Sequence, residues 1–159
     1  ELYLQLWQRT YGLKFVALRL ANVYGPRQNP YGEAGVVAIF NNKLLEGQVP
    51  VIYGSGEQTR DFVFVKDVAR AVRLACDTKV QGIFNIGTGR ETSVNSLYEM
   101  IIKSLGSTQK AEYQQERRGE QMRSCIDATL ARNSFGWQPE FSIKEGVKLT
   151  CEWFRSGVS

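Results

Sequence analysis

A nearly uninterrupted apolar run is the feature that most limits the folds open to this chain. Residues 15–20 read Phe-Val-Ala-Leu-Arg-Leu, a length typical of a strand. A strand that is apolar along its length is typical of a sheet covered on both faces. Helix-like and strand-like patterns alternate along the rest of the chain, which predicts an α/β architecture.

The other elements are predicted from periodicity and from capping residues. Apolar residues at helical spacing predict helices over residues 2–11, 36–46, 67–77 and 94–105, and the third is expected to bury Val68, Val72 and Ala75. Further strands are predicted over residues 49–53, 61–65 and 83–86. Ser93 and Asp127 have the character of helix N-caps, and residues 142–145 match a capping box. Residues 22–35 are rich in Gly, Pro and Asn and predict a long loop of the functional or mobile kind.

Composition places the chain among globular domains. Its 159 residues are 43% apolar and 23% charged, which excludes disordered and collagen-like chains. Residues 1–159 therefore form one domain or one piece of a domain. No apolar stretch approaches the roughly 18 residues of a membrane span, so no membrane partner is expected. The first residues also lack the basic segment of a signal peptide.

Histidine and cysteine usage excludes several kinds of chemistry. The chain has no histidine, so it contains neither a Ser-His-Asp triad nor a His-ligated zinc site. The three cysteines, Cys76, Cys125 and Cys151, lack the spacing of metal ligands, and no metal site is expected. An odd and scattered set favours reduced thiols in a cytoplasmic protein.

The positive charge of the chain is modest and mixed with negative charge. Twenty Lys and Arg residues face sixteen Asp and Glu residues, for a net charge of +4. The densest basic stretch, residues 117–123, is interrupted by Glu120. Because nucleic-acid-binding proteins show a continuous basic stripe with interleaved aromatic residues, we predict no nucleic-acid partner. The charge pattern fits a solvated surface or a small anion pocket better than a groove for a nucleic acid.

Two glycine-containing turns resemble phosphate-binding loops only in part. Residues 87–89 read Gly-Thr-Gly between a predicted strand and a predicted helix, but Thr92 stands where a dinucleotide fingerprint needs its third glycine. We interpret this segment as a structural turn. Residues 54–56 read Gly-Ser-Gly and are interpreted as a connection between strands.

Two arginines are candidates for phosphate binding. Arg60 stands beside Asp61, whose carboxylate could hold the guanidinium rigid while its planar donors face a phosphate. Arg117 could complete a clamp around a diphosphate, and Glu120 could accept hydrogen bonds from ribose hydroxyls. Taken alone, each arginine is explained better by an ordinary surface salt bridge than by phosphate binding.

A longer signature connects these features. Residues 19–27 read Arg-Leu-Ala-Asn-Val-Tyr-Gly-Pro-Arg. This segment resembles the R-x-x-N-x-Y-G-P-R signature of the extended short-chain dehydrogenase/reductase (SDR) family, which includes nucleotide-sugar epimerases and dehydratases typified by UDP-glucose 4-epimerase. Segments 51–56, 59–62, 84–89, 117–120 and 136–139 follow in the family's order, so the resemblance covers the whole chain. It implies the C-terminal part of a Rossmann-like extended SDR fold, with the last parallel strands and a small mixed α/β substrate-binding subdomain.

The resemblance also implies a function. The chain would be the nucleotide-sugar-binding portion of an NAD-dependent sugar 4-epimerase that works on a UDP-sugar by transient hydride transfer. Ala21, Asn22 and Val23 would lie near the nicotinamide of NAD. The implied substrate-binding residues are Asn22, Val36, Val51, Ile52, Tyr53, Arg60, Arg117, Glu120 and Ser124. The small side chain of Ser124 would leave room for an N-acetyl group.

Several of these positions have distinct roles in the family. Arg60 and Arg117 match the arginines that bind the diphosphate, and Glu120 matches an acidic residue on the ribose. Residues 51–53 match the strand that contacts the nucleotide base, and we expect that base to be uracil. The helix that begins at Val36 would turn its backbone N–H groups toward the phosphates.

The chain departs from the family pattern in one respect. Its 159 residues contain neither the G-x-x-G-x-x-G turn nor the catalytic Y-x-x-x-K helix of the family. Glu1 matches an acidic residue four positions after the catalytic lysine, so we expect that tyrosine and lysine upstream of residue 1. The N-terminal Rossmann half would then be absent, and the chain alone inactive. Half a sheet exposes an apolar face and a strand edge, which predicts a homodimer or other association through that face.

Three alternatives stay open at this point. The chain could come from a dehydratase or reductase of the same family that acts on a dTDP-, GDP- or ADP-sugar. It could be a non-catalytic binding or regulatory module with this fold. The third alternative, RNA binding, has little support from the charge pattern.

Overall fold

The structure is a computed structural model that describes residues 1–32 and 35–157. Within these residues, the helices are α1 (Leu2–Tyr11), α2 (Val36–Leu45), α3 (Val65–Asp77), α4 (Val94–Leu105), α5 (Thr129–Phe135) and α6 (Ile143–Arg155). The strands are β1 (Val16–Leu20), β2 (Asn22–Tyr24), β3 (Val51–Tyr53), β4 (Thr59–Phe64), β5 (Gly82–Ile86), β6 (Glu91–Ser93), β7 (Glu112–Gln114) and β8 (Arg123–Ser124). The predicted α/β architecture is confirmed. Residues 33 and 34 of the predicted loop lie outside the described residues.

Most strand pairs are parallel. β1 pairs with β5, β2 pairs with β4 and β3 pairs with β7, each in parallel. The first half of β4 also pairs in parallel with β8 and antiparallel with β6. Parallel strands end at a common edge, and ligands of open α/β sheets bind outside that edge. The topology therefore brings the residues that follow β1 and β3 to one region of the molecule.

Strand β4 separates two hydrophobic cores. Successive side chains of a strand point to opposite faces, so Phe62 and Phe64 pack into one cluster and Val63 packs into the other. The first cluster lies among α2, α4 and α6 and includes Phe40. The second lies among α3, β5 and α5 around Trp137, whose indole N–H donates to the Asp67 carbonyl at 2.9 Å. The residues just before Phe62 on β4 consequently also alternate between two environments.

Several predicted helix ends are confirmed. The Ser93 hydroxyl accepts from the Ser96 N–H at the start of α4. Ser142 and Glu145 form the full capping box at the start of α6. Gly136 ends α5 in the left-handed conformation, with φ 69°, which glycine adopts without steric cost.

Other local predictions are wrong in detail. Ala128, not Asp127, occupies the N-cap position of α5, although the Asp127 carboxylate still accepts from the Thr129 N–H at 2.8 Å. Helix α3 starts two residues early, at Val65, and Val72 is 49% exposed because the buried stripe of that helix runs through Asp67 and Ala71. The short strands β2, β6, β7 and β8 were not predicted, because segments of two or three residues carry too little periodicity, and β2 occupies the first three residues of the predicted loop 22–35.

Strand β1 is less covered than its sequence predicts. Its first three residues are half-buried, and Leu20 is 46% exposed. Within the described residues, β5 is the only strand that pairs with it. Helix α1 buries none of its side chains, and Leu6 and Trp7 on it stay exposed. An apolar surface therefore faces solvent at this end of the chain.

The helices do not have the dimensions of membrane spans. In the part of the chain that the structure describes, no helix combines the length and the apolar character needed to cross a bilayer.

Candidate functional site

A cavity of about 360 Å³ opens beside the ends of β2 and β3. This volume is within the range of small-molecule sites. Helix α2 and β4 form its other walls, and residues 117–120 close one side. The predicted site residues that line the cavity are Asn22, Val23, Val36, Val51, Ile52, Tyr53, Arg60, Arg117 and Glu120. Residues from five separate segments of the sequence thus meet at one place.

The charges in the cavity favour an anion. Lys43, Arg60 and Arg117 are the cationic residues of its wall, and Glu120 is the acidic residue. Lys43 was not predicted as part of the site. It lies on α2 three residues after Phe40, which also lines the cavity, so the two share one face of the helix. Its spacing of three residues from Phe40 is the sequence signal that could have identified it.

Arg60 is held by backbone and carboxylate oxygens. Its guanidinium donates to the Thr59 carbonyl at 2.8 Å and to the Gln121 carbonyl at 2.6 Å. It also forms a salt bridge with Glu120 at 3.4 Å. The side chain is only 18% exposed, so the guanidinium is presented to the cavity in a fixed orientation.

Arg117 is held by a different interaction. Its guanidinium carbon lies 3.9 Å from the centroid of the Tyr53 ring, in a cation–π contact. A turn connects Arg117 to Glu120, because the Glu120 N–H donates to the Arg117 carbonyl at 3.2 Å. Since the Glu120 carboxylate also contacts Arg60, the two arginines and the carboxylate form one connected group.

The expected contact between Asp61 and Arg60 is wrong. Asp61 is 1% exposed and points to the opposite face of β4, as neighbouring residues of a strand must. Its carboxylate accepts from the Thr88 N–H at 2.9 Å, the Thr88 hydroxyl at 2.6 Å and the Gly89 N–H at 3.0 Å. A Cβ at Gly87 would stand 2.6 Å from the same carboxylate, so this close approach requires glycine. The interpretation of residues 87–89 as a structural turn agrees with these contacts.

Two predicted site residues are not in the cavity wall. Ala21 is half-buried against the second hydrophobic cluster, between β1 and β2. Ser124 is half-buried in β8, directly paired with Arg60. Both are immediate neighbours of cavity residues, Ala21 in the chain and Ser124 across the sheet.

An ion pair fixes β8 beside the site. Arg123 forms a salt bridge with Glu91 of β6 at 2.6 Å, so β6 and β8 are joined across Thr59 at the start of β4. The hydrogen bonds from Arg123 and Thr59 lower the pKa of Glu91 to about 2. The carboxylate therefore stays ionised through the mildly acidic range.

Gln58 is a further site residue that the sequence did not indicate. It is 6% exposed, and its side-chain amide donates to the Tyr53 carbonyl at 2.9 Å and to Glu120 at 3.5 Å. It lies between the tight turn after β3 and the start of β4, where an uncharged polar residue gives no signal of function. Burial alone identifies it.

Comparison with known proteins gives consistent matches along the chain. The model of the NAD dependent epimerase/dehydratase family matches residues 1–87. A putative UDP-glucose 4-epimerase of Methanocaldococcus jannaschii is 47% identical over 156 residues, which are 98% of this chain and 50% of that protein. The chain thus spans about half the length of this relative.

Two solved structures resemble the chain closely. The UDP-glucose 4-epimerase of Thermotoga maritima, solved with UDP-glucose, superposes with a TM-score of 0.95 at 47% identity, over 99% of this chain and 51% of that one. The UDP-N-acetylglucosamine 4-epimerase of Methanobrevibacter ruminantium, in complex with UDP-N-acetylmuramic acid, superposes with a TM-score of 0.94 at 38% identity, with the same coverage.

Proposed function

The chain belongs to the NAD dependent epimerase/dehydratase family, and we propose that it forms the nucleotide-sugar-binding portion of an NAD-dependent 4-epimerase of a UDP-sugar. The family membership and the SDR fold confirm the resemblance seen in residues 19–27. The single observation that supports the proposed substrate is the meeting of Arg60 and Arg117 in one cavity.

The two arginines suit a diphosphate for physical reasons. A diphosphate carries several negative oxygens on two phosphate groups joined by a bridging oxygen, so it is bound best by two cations from different directions. Arg60 comes from β4, and Arg117 comes from the segment between β7 and β8. Each guanidinium offers planar N–H donors that match phosphate oxygens. The start of α2 adds to this effect, because no side chain caps that helix and Val36 lines the cavity.

Strand β3 supplies the wall for the base. Val51 is aliphatic and the Tyr53 ring is oriented by Arg117, while the side chain of Ile52 between them is buried in the first hydrophobic cluster. Apolar and aromatic surfaces of this kind bind flat heterocycles, and uracil is the base that we assign here. Ser124 lies on β8, paired with Arg60 of β4, and its small side chain leaves space for a bulky substituent such as an N-acetyl group.

The residues after β1 are suited to the cofactor. Bound NAD would accept a hydride from the sugar and return it. Ala21, Asn22 and Val23 stand at the carboxyl end of a parallel strand, the edge at which dinucleotides bind in α/β sheets. Ala21 and Val23 offer small apolar surfaces to a nicotinamide ring. Asn22 is exposed at the cavity and can hydrogen-bond both a sugar and its phosphate.

Calorimetric titration of the chain with UDP, dTDP and GDP tests the proposal. We expect UDP to bind, and R60A and R117A each to weaken binding roughly tenfold or more, because each variant loses charge-assisted hydrogen bonds. The matched control R73A removes an exposed arginine on α3 and should bind like wild type. Binding of none of the three nucleotides, or arginine variants that bind as wild type does, would contradict the proposal. A preference for dTDP or GDP would instead favour a dehydratase or reductase of another nucleotide sugar.

Turnover is a separate question from binding. The sequence has no Y-x-x-x-K motif, the spacing at which the resemblance to the family would place the tyrosine that acts as general base and its lysine. We therefore expect the chain, mixed with NAD⁺ and UDP-glucose, to produce no UDP-galactose. Measurable epimerisation would show that other residues of the chain supply the base.

A further inference from the structure

We infer that Gln58 is a positioning residue that sets the orientation of the Glu120 carboxylate and thereby makes the site prefer a ribose over a sugar without hydroxyl groups. The inference rests on the proposed function, because it concerns how the same cavity reads the nucleoside. Gln58 itself need not touch the ligand. It acts through Glu120.

The backbone and side chain of Gln58 are both fixed. Its carbonyl accepts from the Val94 N–H at 3.2 Å, where α4 begins. Its side-chain amide has two N–H donors, and the structure pairs that nitrogen with two acceptors. One is the Tyr53 carbonyl at 2.9 Å, and the other is the Glu120 Oε1 at 3.5 Å. Because this buried amide is hydrogen-bonded to both the Tyr53 carbonyl and Glu120, it couples the end of β3 to the Glu120 carboxylate.

The donors around Glu120 are distributed unequally. Gln58 and Arg60 both face the same carboxylate oxygen, Oε1. The other oxygen, Oε2, is buried and has no hydrogen-bond partner among the described residues. Burying a carboxylate oxygen without a donor is costly, so this oxygen indicates a place for a donor that is not part of the chain.

The chemistry of that donor follows from the site. A carboxylate only accepts, so the ligand must present an O–H or N–H group. Of the parts of uridine diphosphate, the diphosphate offers no donor at neutral pH, uracil offers one N–H and the ribose offers two hydroxyls. Glu120 contacts Arg60, which faces the phosphates in the proposed function, and is linked through Gln58 to Tyr53, which faces the base. The ribose connects these two parts and reaches the same position.

Gln58 matters because a carboxylate can rotate. Without the amide donor, the salt bridge with Arg60 alone would hold Glu120, and Oε1 and Oε2 could exchange between the guanidinium and the ligand. Because a preorganised acceptor binds a hydroxyl more tightly than a mobile one, loss of Gln58 should reduce the contribution of the ribose hydroxyls. Binding of the base and the diphosphate should change much less.

The test compares UDP with 2′,3′-dideoxyuridine diphosphate, which lacks both hydroxyls, by calorimetric titration of the full chain. Wild type is expected to prefer UDP roughly tenfold or more, as for a hydroxyl bound to a charged acceptor. In Q58L the preference should fall to about threefold or less, with the affinity for the dideoxy compound nearly unchanged. E120A should abolish the preference. Q48L, which changes an exposed glutamine outside the cavity, is the matched control and should behave as wild type.

A second variant guards against misfolding of Q58L. Q58E keeps the shape of the side chain and at pH 8 removes both amide donors, so it should lose the ribose preference as well. The inference is overturned if Q58L and Q58E keep the wild-type ratio, or weaken both nucleotides equally, or if wild type has no ribose preference. Failure of wild type to bind UDP would instead overturn the proposed function.

Discussion

The guanidinium carbon of Arg117 lies 3.9 Å from the centroid of the Tyr53 ring. Tyr53 ends β3, and the parallel partner of that strand, β7, leads directly into the segment that carries Arg117. The ring therefore orients a cation that would otherwise be a flexible side chain on an irregular segment. This contact couples the wall for the base to the charge proposed to bind the diphosphate.

Replacing the ring should weaken diphosphate binding. In Y53A, Arg117 loses a cation–π contact of about 0.5–2 kcal/mol, so UDP affinity should fall roughly two- to thirtyfold. Y53F keeps the ring and should bind nearly as wild type does. Titration calorimetry measures both variants, and equal affinities for Y53A and Y53F would show that the contact does not position Arg117.

Asp61 should prove a stability residue and not a binding residue. D61A leaves the Thr88 and Gly89 N–H groups without their buried acceptor, which should lower the free energy of unfolding by about 3 kcal/mol. Urea denaturation measures this loss. D77A, at the exposed end of α3, is the control and should change stability by less than about 0.5 kcal/mol. A D61A variant of wild-type stability would mean that the turn at residues 87–89 forms without the carboxylate.

The Glu91–Arg123 pair should make stability depend on acidity. The pKa of Glu91 is lowered to about 2 in the folded chain, below the value of 4.5 for an unperturbed glutamate. The unfolded chain thus takes up a proton at higher pH than the folded chain does. The contribution of the Glu91–Arg123 pair to stability is present above about pH 4.5 and is lost as the pH falls toward 2.

The comparison of wild type with E91Q isolates this effect. The difference between their unfolding free energies should be constant above pH 5.5 and shrink progressively at lower pH, as followed by urea denaturation at several pH values. E99Q changes an exposed glutamate on α4 and should show a smaller dependence. A difference that grows on acidification would exclude the ion pair as its source.

The exposed apolar surface of α1 should cause association. Trp7 and Leu6 are each 54% exposed on a helix without buried side chains. We expect sedimentation velocity to find dimers or larger species of the chain, and W7K to shift the distribution toward monomer. The matched control L130K also changes an exposed apolar residue, 58% exposed on α5, and should leave the distribution unchanged. A monodisperse wild-type monomer would contradict this expectation.

Much of the fold could be predicted because its signals are local. The capping box at residues 142–145 and the cap at Ser93 involve residues three positions apart, so the sequence displays them directly. The predicted start of α3 is wrong, because the apolar residues that end β4 can also begin a helix. The coverage of β1 is wrong as well, since the prediction depends on neighbours that sequence patterns do not show.

The sequence by itself determined the α/β class, the family signature in residues 19–27 and the identity of both arginines. Each of these can be recognised from residue types and short spacings in the sequence. Only the tertiary structure decided that Arg60 contacts Glu120 while its neighbour Asp61 serves a turn on the other face of β4. The physical reason is that adjacent side chains of a strand point in opposite directions, and only the packed fold determines which hydrogen-bond partners lie on each face of the strand.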